Sequence, residues 1–229
     1  MAKQHIDREY NAHLEGIRES LLRMSGYVDE MIDDASRALS ESDPALAKKI
    51  ITRDALVDEL ESEVDERCIL VLARWQPMAS DLRFVTLAMK MVTDLERIGD
   101  LAVNIAERVP DLVTGMHPWT WDLATEMAKV CRAMLKDAID ALLERDVEKA
   151  QSVLVHDDTL DELYHRLFRN VLEGMQRRPD IMSAGIHALS IAKWLERMGD
   201  HVTNLAEQVI FLVRGEDVRH HVRFDVGTR

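Results

Sequence analysis

The sequence predicts an all-α protein built as two tandem, pseudo-symmetric three-helix bundles, and three observations carry that expectation. Only 5 prolines and 9 glycines fall among 229 residues, while Leu, Ala, Met, Glu and Arg, which favour helix, dominate. Apolar residues recur in steps of three and four over long stretches, the period of an amphipathic helix. Finally, "DLERIGDLAVN" from Asp94 to Asn104 returns as "WLERMGDHVTN" from Trp194 to Asn204, with Glu, Gly, Asp and Asn at the same places 100 residues on.

The first helix carries Leu14, Ile17, Leu21, Met24, Val28, Met31, Ala35 and Leu39 on one face and stops near "ESDP". There Ser42 or Asp43 can cap the second helix, and Pro44 suits its first turn. That helix buries Val57, Leu60, Val64, Cys68 and Val71 and runs to about Trp75, where "QPMASD" breaks it at Pro77. Ser80 or Asp81 can start the third, which shows Leu82, Val85, Met89 and Val92 and then the repeated motif. "PDLVTGMHP" is the best boundary between halves, since it gathers two prolines and a glycine. Beyond it, Leu123, Met127, Val130, Met134 and Ala138 mark a fourth helix. A fifth spans about 147–176, and a sixth runs from about Asp180 to Arg214 before Gly215. The expected organisation is 1–112, 118–215 and a polar tail, 216–229.

The second helices repeat as well. Aligning "RDALVDEL" with "HDDTLDEL" matches Asp54 to Asp157 and Asp58 to Asp161. Each half therefore reads as helix, helix, break, helix, the mark of an internal duplication.

A net charge of −13 argues against nucleic acid as a partner, because phosphate-backbone binding needs a concentrated basic surface. Cys68 and Cys131 stand singly with no C-x-x-C spacing, so neither a zinc knuckle nor a disulfide framework is signalled. The amino-terminal residues lack an apolar core of the secretory kind, and no run nears the roughly 18 apolar residues of a membrane span. The expectation is a cytoplasmic protein whose long amphipathic helices suit a homodimer.

The motif raises the chemical question. At about 100° per residue, Glu96, Asp100 and Asn104 lie at roughly 0°, 40° and 80°, so three oxygen-bearing side chains share one stripe. Glu196, Asp200 and Asn204 do the same. Continuing the apolar series 82, 85, 89, 92 lands on Glu96 and Gly99, so the stripe is not simply the wet face. Like charges four apart cost about 0.2–0.5 kcal/mol, and a helix-interior glycine about 1 kcal/mol relative to alanine. Both costs appear twice. If the second and third helices are antiparallel neighbours, Asp54 and Asp58 face Glu96 and Asp100, and Asp157 and Asp161 face Glu196 and Asp200. Four carboxylates per site call for protons or a cation. All-oxygen donors suit Mg²⁺, Mn²⁺, Fe²⁺ or Ca²⁺, with Zn²⁺ also accommodated. Glu61 and Asp65 form a further pair, but Tyr164 and Phe168 occupy their aligned positions, which ranks them below the others. His201, beside Asp200, is within reach of a bound ion, yet its counterpart is Leu101. Arg97 and Arg197 read chiefly as ion-pair partners for the acids and secondarily as partner contacts. Glu162 with His165 is the one relevant E-x-x-H, whereas a ferritin-like di-iron enzyme needs two.

The duplicated "LERIGD" and "LERMGDHVTNLAE", the "QPMASDLR" before the third helix and the closing "GEDVRH" resemble the PhoU family along essentially the whole chain. The resemblance implies tandem three-helix bundles holding multinuclear metal clusters (Fe, Mn, Mg or Zn), one per repeat, through E(D)-x-x-x-D motifs, here Glu96 with Asp100 and Glu196 with Asp200. It implies no catalysis. The implied role is a cytoplasmic adaptor that restrains the phosphate ABC transporter through its ATPase subunit and silences a phosphate-sensing histidine kinase, meeting the membrane only through those partners. The second half has "RRPDIMS" in place of "QPMASDLR", so a partner contact by Asp81 and Arg83 has no counterpart there. Two rival readings remain open: a carboxylate-bridged di-metal oxidase or hydrolase, and a metal-free helical scaffold.

Overall fold

The computed structural model describes residues 2–112 and 118–215, and among them the regular elements are all helical. They are α1 (Ala2–Glu41), α2 (Pro44–Trp75), α3 (Ala79–Arg108), α4 (Pro118–Glu144), α5 (Val147–Arg177) and α6 (Met182–Arg214), with short 3-10 turns at Val109–Leu112 and Pro179–Ile181. The tail 216–229 and most of the boundary segment lie outside the described residues.

The apolar faces anticipated for α1 and α2 are buried, from Ile17 through Leu39 and from Val57 through Val71. Each such side chain contributes roughly 1.5–3 kcal/mol by leaving water. Cys68 and Cys131 belong to this core as free thiols. Leu82 differs from expectation: it is 41% exposed, while Phe84 and Val85 just beyond it are buried and carry the apolar face of α3.

The α1–α2 and α4–α5 corners are built alike. Asp43 caps α2 by accepting from the Ala45 and Leu46 amides at 2.8 and 3.2 Å, and Asp146 caps α5 by accepting from the Lys149 amide at 3.0 Å. The residues before them, Ser42 and Arg145, both adopt the left-handed conformation at φ 53° and 54°. These corners lie 103 residues apart, whereas the motifs on α3 and α6 lie 100 apart; the second half loses three residues between its second and third helices. There Pro179 opens a 3-10 turn, so α6 begins at Met182 rather than Asp180. On the other side, α3 begins at Ala79 with Met78 as a cap that makes no side-chain bond.

The halves meet through α1 against α4 and α3 against α6, leaving α2 and α5 on the outside, each packed on its own half. Two polar clusters fasten this junction. Arg132 of α4 grips Asp29 of α1 with two hydrogen bonds of 2.8 and 2.9 Å and also reaches Asp33. These are equivalent positions of the repeat, since 132 − 29 = 103. In the second cluster Asp94 of α3 meets three α6 side chains: His201 Nδ1 at 2.9 Å, the Asn204 amide donating at 3.1 Å and the Gln208 amide donating at 2.7 Å. The symmetry-related contact is chemically different, with the Arg108 guanidinium 5.9 Å from the Trp194 ring centroid.

Because Asp94 is only 14% exposed and answers three α6 groups, Asp94→Ala strands polar groups at a half-buried junction. We expect a loss of about 1–3 kcal/mol, read as a lower denaturant midpoint, with Asp94→Asn in between.

Candidate metal centre

In each half a neighbouring helix passes beside the glycine of the motif, more tightly in the second half than in the first. A Cβ added at Gly99 would lie 3.6 Å from Asp54 Oδ1 and 3.6 Å from Val57, both on α2. One added at Gly199 would lie 3.1 Å from Asp157 Oδ1 and would run into the Leu160 side chain of α5. The seam thus brings an aspartate of the second helix over the backbone of the third, beside the Glu and Asp that flank the glycine by three and one residues.

The electrostatics follow from this crowding. Burial, then Asp58 and Asp100, push the Asp54 carboxyl up to about 6. Burial, then Asp161, Asp200, Asp158 and Glu196, do the same to Asp157, again up to about 6. Glu96 is pushed up to about 7 by burial and by Asp100, against the pull of Arg97. Asp200 is raised by burial and Glu196, with Lys193 opposing, and Glu61 by burial, Asp65 and Asp58. Two acidic groups therefore form, Asp54, Asp58, Glu96 and Asp100 on α2–α3, and Asp157, Asp161, Glu196 and Asp200 on α5–α6.

The first group extends along α2 to Glu61 and Asp65, where Asp65 Oδ1 is buried without a hydrogen-bond partner. In the second, Tyr164 and Phe168 occupy that stretch, their rings 6.0 Å apart. Neighbouring bases answer part of the charge. Arg97 lies 3.0 Å from Asp100 and 3.4 Å from Glu96, the ion pairing expected of it, and Lys193 pairs with Glu196. Arg197 is exposed.

Other candidates fall elsewhere. Asn204 and His201 turn to Asp94 of the opposite half rather than to α5, while Asn104 is half-buried on α3. Asp81 accepts the Tyr10 hydroxyl at 2.8 Å, and burial, then Asp81, push that phenol up to about 12. Arg83 has a buried Nε without a partner. Glu162 and His165 are exposed on α5. Sequence reasoning missed Asp94 and Lys193. Lys193 is three residues before Glu196, a spacing that marks helical ion pairs, whereas the partners of Asp94 are more than 100 residues distant.

Among the described residues, no three carboxylate, imidazole or thiolate side chains converge as a ready metal-binding set. The donor chemistry nevertheless fits a hard or borderline divalent ion: all-oxygen, crowded and reluctant to ionise together. Binding requires these carboxylates to turn from Arg97, Lys193 and solvent toward a shared centre.

Comparison with known proteins adds the lineage. The family model of the PhoU domain matches twice, over residues 21–109 and 124–209. A phosphate-specific transport system accessory protein PhoU homolog of Pseudomonas putida is 40% identical over 217 residues, covering 94% of this chain and 85% of that protein. The crystal structure of PhoU from Pseudomonas aeruginosa superimposes with a TM-score of 0.87 at 38% identity, covering 90% of this chain and 100% of that one. The phosphate transport system regulatory protein PhoU from Streptococcus pneumoniae gives 0.84 at 29% identity, covering 91% and 99%.

Two outcomes are expected of the seams. Gly99→Ala, meeting only ordinary contacts, should hold or raise the melting temperature through helix propensity, whereas Gly199→Ala should lower it by displacing buried Leu160. For pH, the folded protein holds protons on Asp54, Asp157 and Glu96 that the unfolded chain releases near its ordinary carboxylate value of about 4. Their contribution to stability is therefore greatest below about pH 4 and is lost as pH rises through about 6 to 7. Denaturant titrations of metal-free Asp157→Asn should show a shallower fall over that window than wild type.

Proposed function

The chain belongs to the PhoU family, and from that premise we propose that it is a metal-binding regulator of phosphate homeostasis that restrains phosphate uptake and phosphate-starvation signalling. The observation that carries the metal reading is the duplicated seam, in which a glycine admits an aspartate from the next helix into a group of mutually repelling acids. Similarity to proteins named as accessory to phosphate-specific transport supports the regulatory part.

In this reading Asp54, Asp58, Glu96 and Asp100 hold one centre, and Asp157, Asp161, Glu196 and Asp200 the other. When bound, Fe, Mn, Mg or Zn supplies positive charge to each groove, with a structural rather than catalytic role. Arg97 and Lys193 act as counter-ions that release Asp100 and Glu196 on binding. Glu61 and Asp65 lengthen the first donor row, so the first site takes more ions than the second. Neutralising both grooves fixes the outer helices α2 and α5 against their bundles and presents a defined surface to partners. Those partners are the phosphate-sensing histidine kinase and the ATPase subunit of the phosphate ABC transporter, met in the cytoplasm, with the protein acting as a homodimer. Among the described residues no helix is long and apolar enough to cross a membrane, in keeping with contact through partner proteins. PhoU proteins are accessory and regulatory rather than a known enzyme class, and the single E-x-x-H gives a di-iron oxidase too few ligands.

The test has two arms. Purified protein dialysed against each divalent metal should retain stoichiometric ion by elemental analysis, and Asp100→Ala with Asp200→Ala should lose most of it; equal retention by the variant would sink the site assignment. Tagged protein recovered from cells grown in high phosphate should bring down the kinase or the ATPase, and failure to recover either would overturn the adaptor role.

A further inference from the structure

The face where α1 meets α4 carries a second candidate site, distant in kind from the acidic seams. A pocket of about 450 Å³ opens there, within the size range of small-molecule sites. Leu22, Leu135 and Ile139 form an apolar floor, and Lys129, Arg132 and Lys136 stand along the α4 wall. In a chain of net charge −13 these three bases make one wall of the pocket basic, with Asp29 and Asp140 also in its lining.

The bases differ in what they do. Arg132 is engaged by Asp29 and Asp33. Among the described residues neither Lys129 nor Lys136 has an ion-pair partner. Seven residues apart, they bracket the pocket at a spacing of two helical turns, about 10 Å. Asp140 contributes a carboxylate at the far end.

Gly26 is the independent observation. A glycine inside a helix lowers helix stability; at Gly16, Gly185 and Gly199 an added Cβ would crowd a neighbouring side chain, and at Gly99 and Gly174 it would meet ordinary contacts. At Gly26 a Cβ would meet nothing within 4 Å, although the residue lines this pocket. Among the described residues nothing packs on it, so the α1 backbone there is open to a bound molecule.

We propose that this pocket binds a small amphipathic organic phosphate, of which a nucleoside monophosphate is the best chemical match. The phosphate pairs with Lys129 or Lys136, the flat ring lies on the leucine and isoleucine floor across Gly26, and sugar hydroxyls donate to Asp140. The site occurs once per chain. In the first half the positions equivalent to Lys129 and Lys136 are Gly26 and Asp33, since 129 − 26 and 136 − 33 are both 103, so the repeat does not reproduce the basic wall.

The experiment is calorimetric titration of the full-length protein with AMP, adenosine and inorganic phosphate, with and without prior removal of metal. AMP should bind at one per chain in both preparations, which separates this site from the acidic seams. Adenosine and inorganic phosphate should each bind at least about tenfold more weakly, the loss expected when one charged contact or the apolar body is missing. Lys129→Ala with Lys136→Ala should weaken AMP by a similar factor. Gly26→Leu, whose side chain enters open space, should abolish binding while leaving the helical circular dichroism intact and the melting temperature unchanged or raised. Absence of saturable AMP binding, or AMP affinity unchanged in both variants, overturns the proposal. So does a shift in sedimentation of Gly26→Leu in a protein that ignores AMP, an outcome that would make this face a contact between copies of the chain.

Discussion

The acidic seams of this fold depend on how closely two helices approach beside a glycine. A side chain at Gly199 would displace Leu160 and press on Asp157, whereas at Gly99 a methyl would meet Asp54 and Val57 at ordinary contact distance. The close approach buries carboxylates among carboxylates, which raises their proton affinity and leaves them in want of positive charge. The apolar residues beneath hold the arrangement in place: Val57 and Leu160, one turn from the aspartates, are fully buried. A core that cannot be deformed is thus the support for a polar arrangement that would not hold itself together.

The duplication is faithful in backbone and loose in chemistry. The two corners share a left-handed residue and an aspartate cap, and the acids of the seam keep their places. The surroundings have diverged. Arg97 balances one site from within its motif, and Lys193 balances the other from one turn earlier. Glu61 and Asp65 on α2 become Tyr164 and Phe168 on α5, so one groove is acidic along its length and the other turns aromatic. The two seams thus share a plan but differ in charge.

Much of this was legible in the sequence because it rests on local periodicity. The helices, the Asp43 cap and the facing of Asp54 by the Glu96 motif follow from steps of three and four and from an antiparallel hairpin. Less was legible where long-range packing decides. Asn204 sits 80° around from Glu196, an angle that belongs equally to the α5 seam and to α3, and the neighbour that claims it is Asp94, 110 residues away. His201 is drawn to the same carboxylate. The start of α6 shifted because Pro179 is as content in a 3-10 turn as at the head of an α-helix, and three deleted residues left no room for a separate loop.

The clasp of Arg132 on Asp29 has one more consequence. Two identical three-helix units meeting about a twofold axis would place the same residue against itself there, and aspartate against aspartate repels. With one copy changed to arginine the pair attracts, but only between a first half and a second half. Like halves from different molecules are disfavoured, while unlike halves joined by a short connection find each other at high effective concentration. The charge reversal at a single repeat position therefore selects unlike over like pairing of halves, and the short connection, not the charge, favours closure within one chain over exchange between chains.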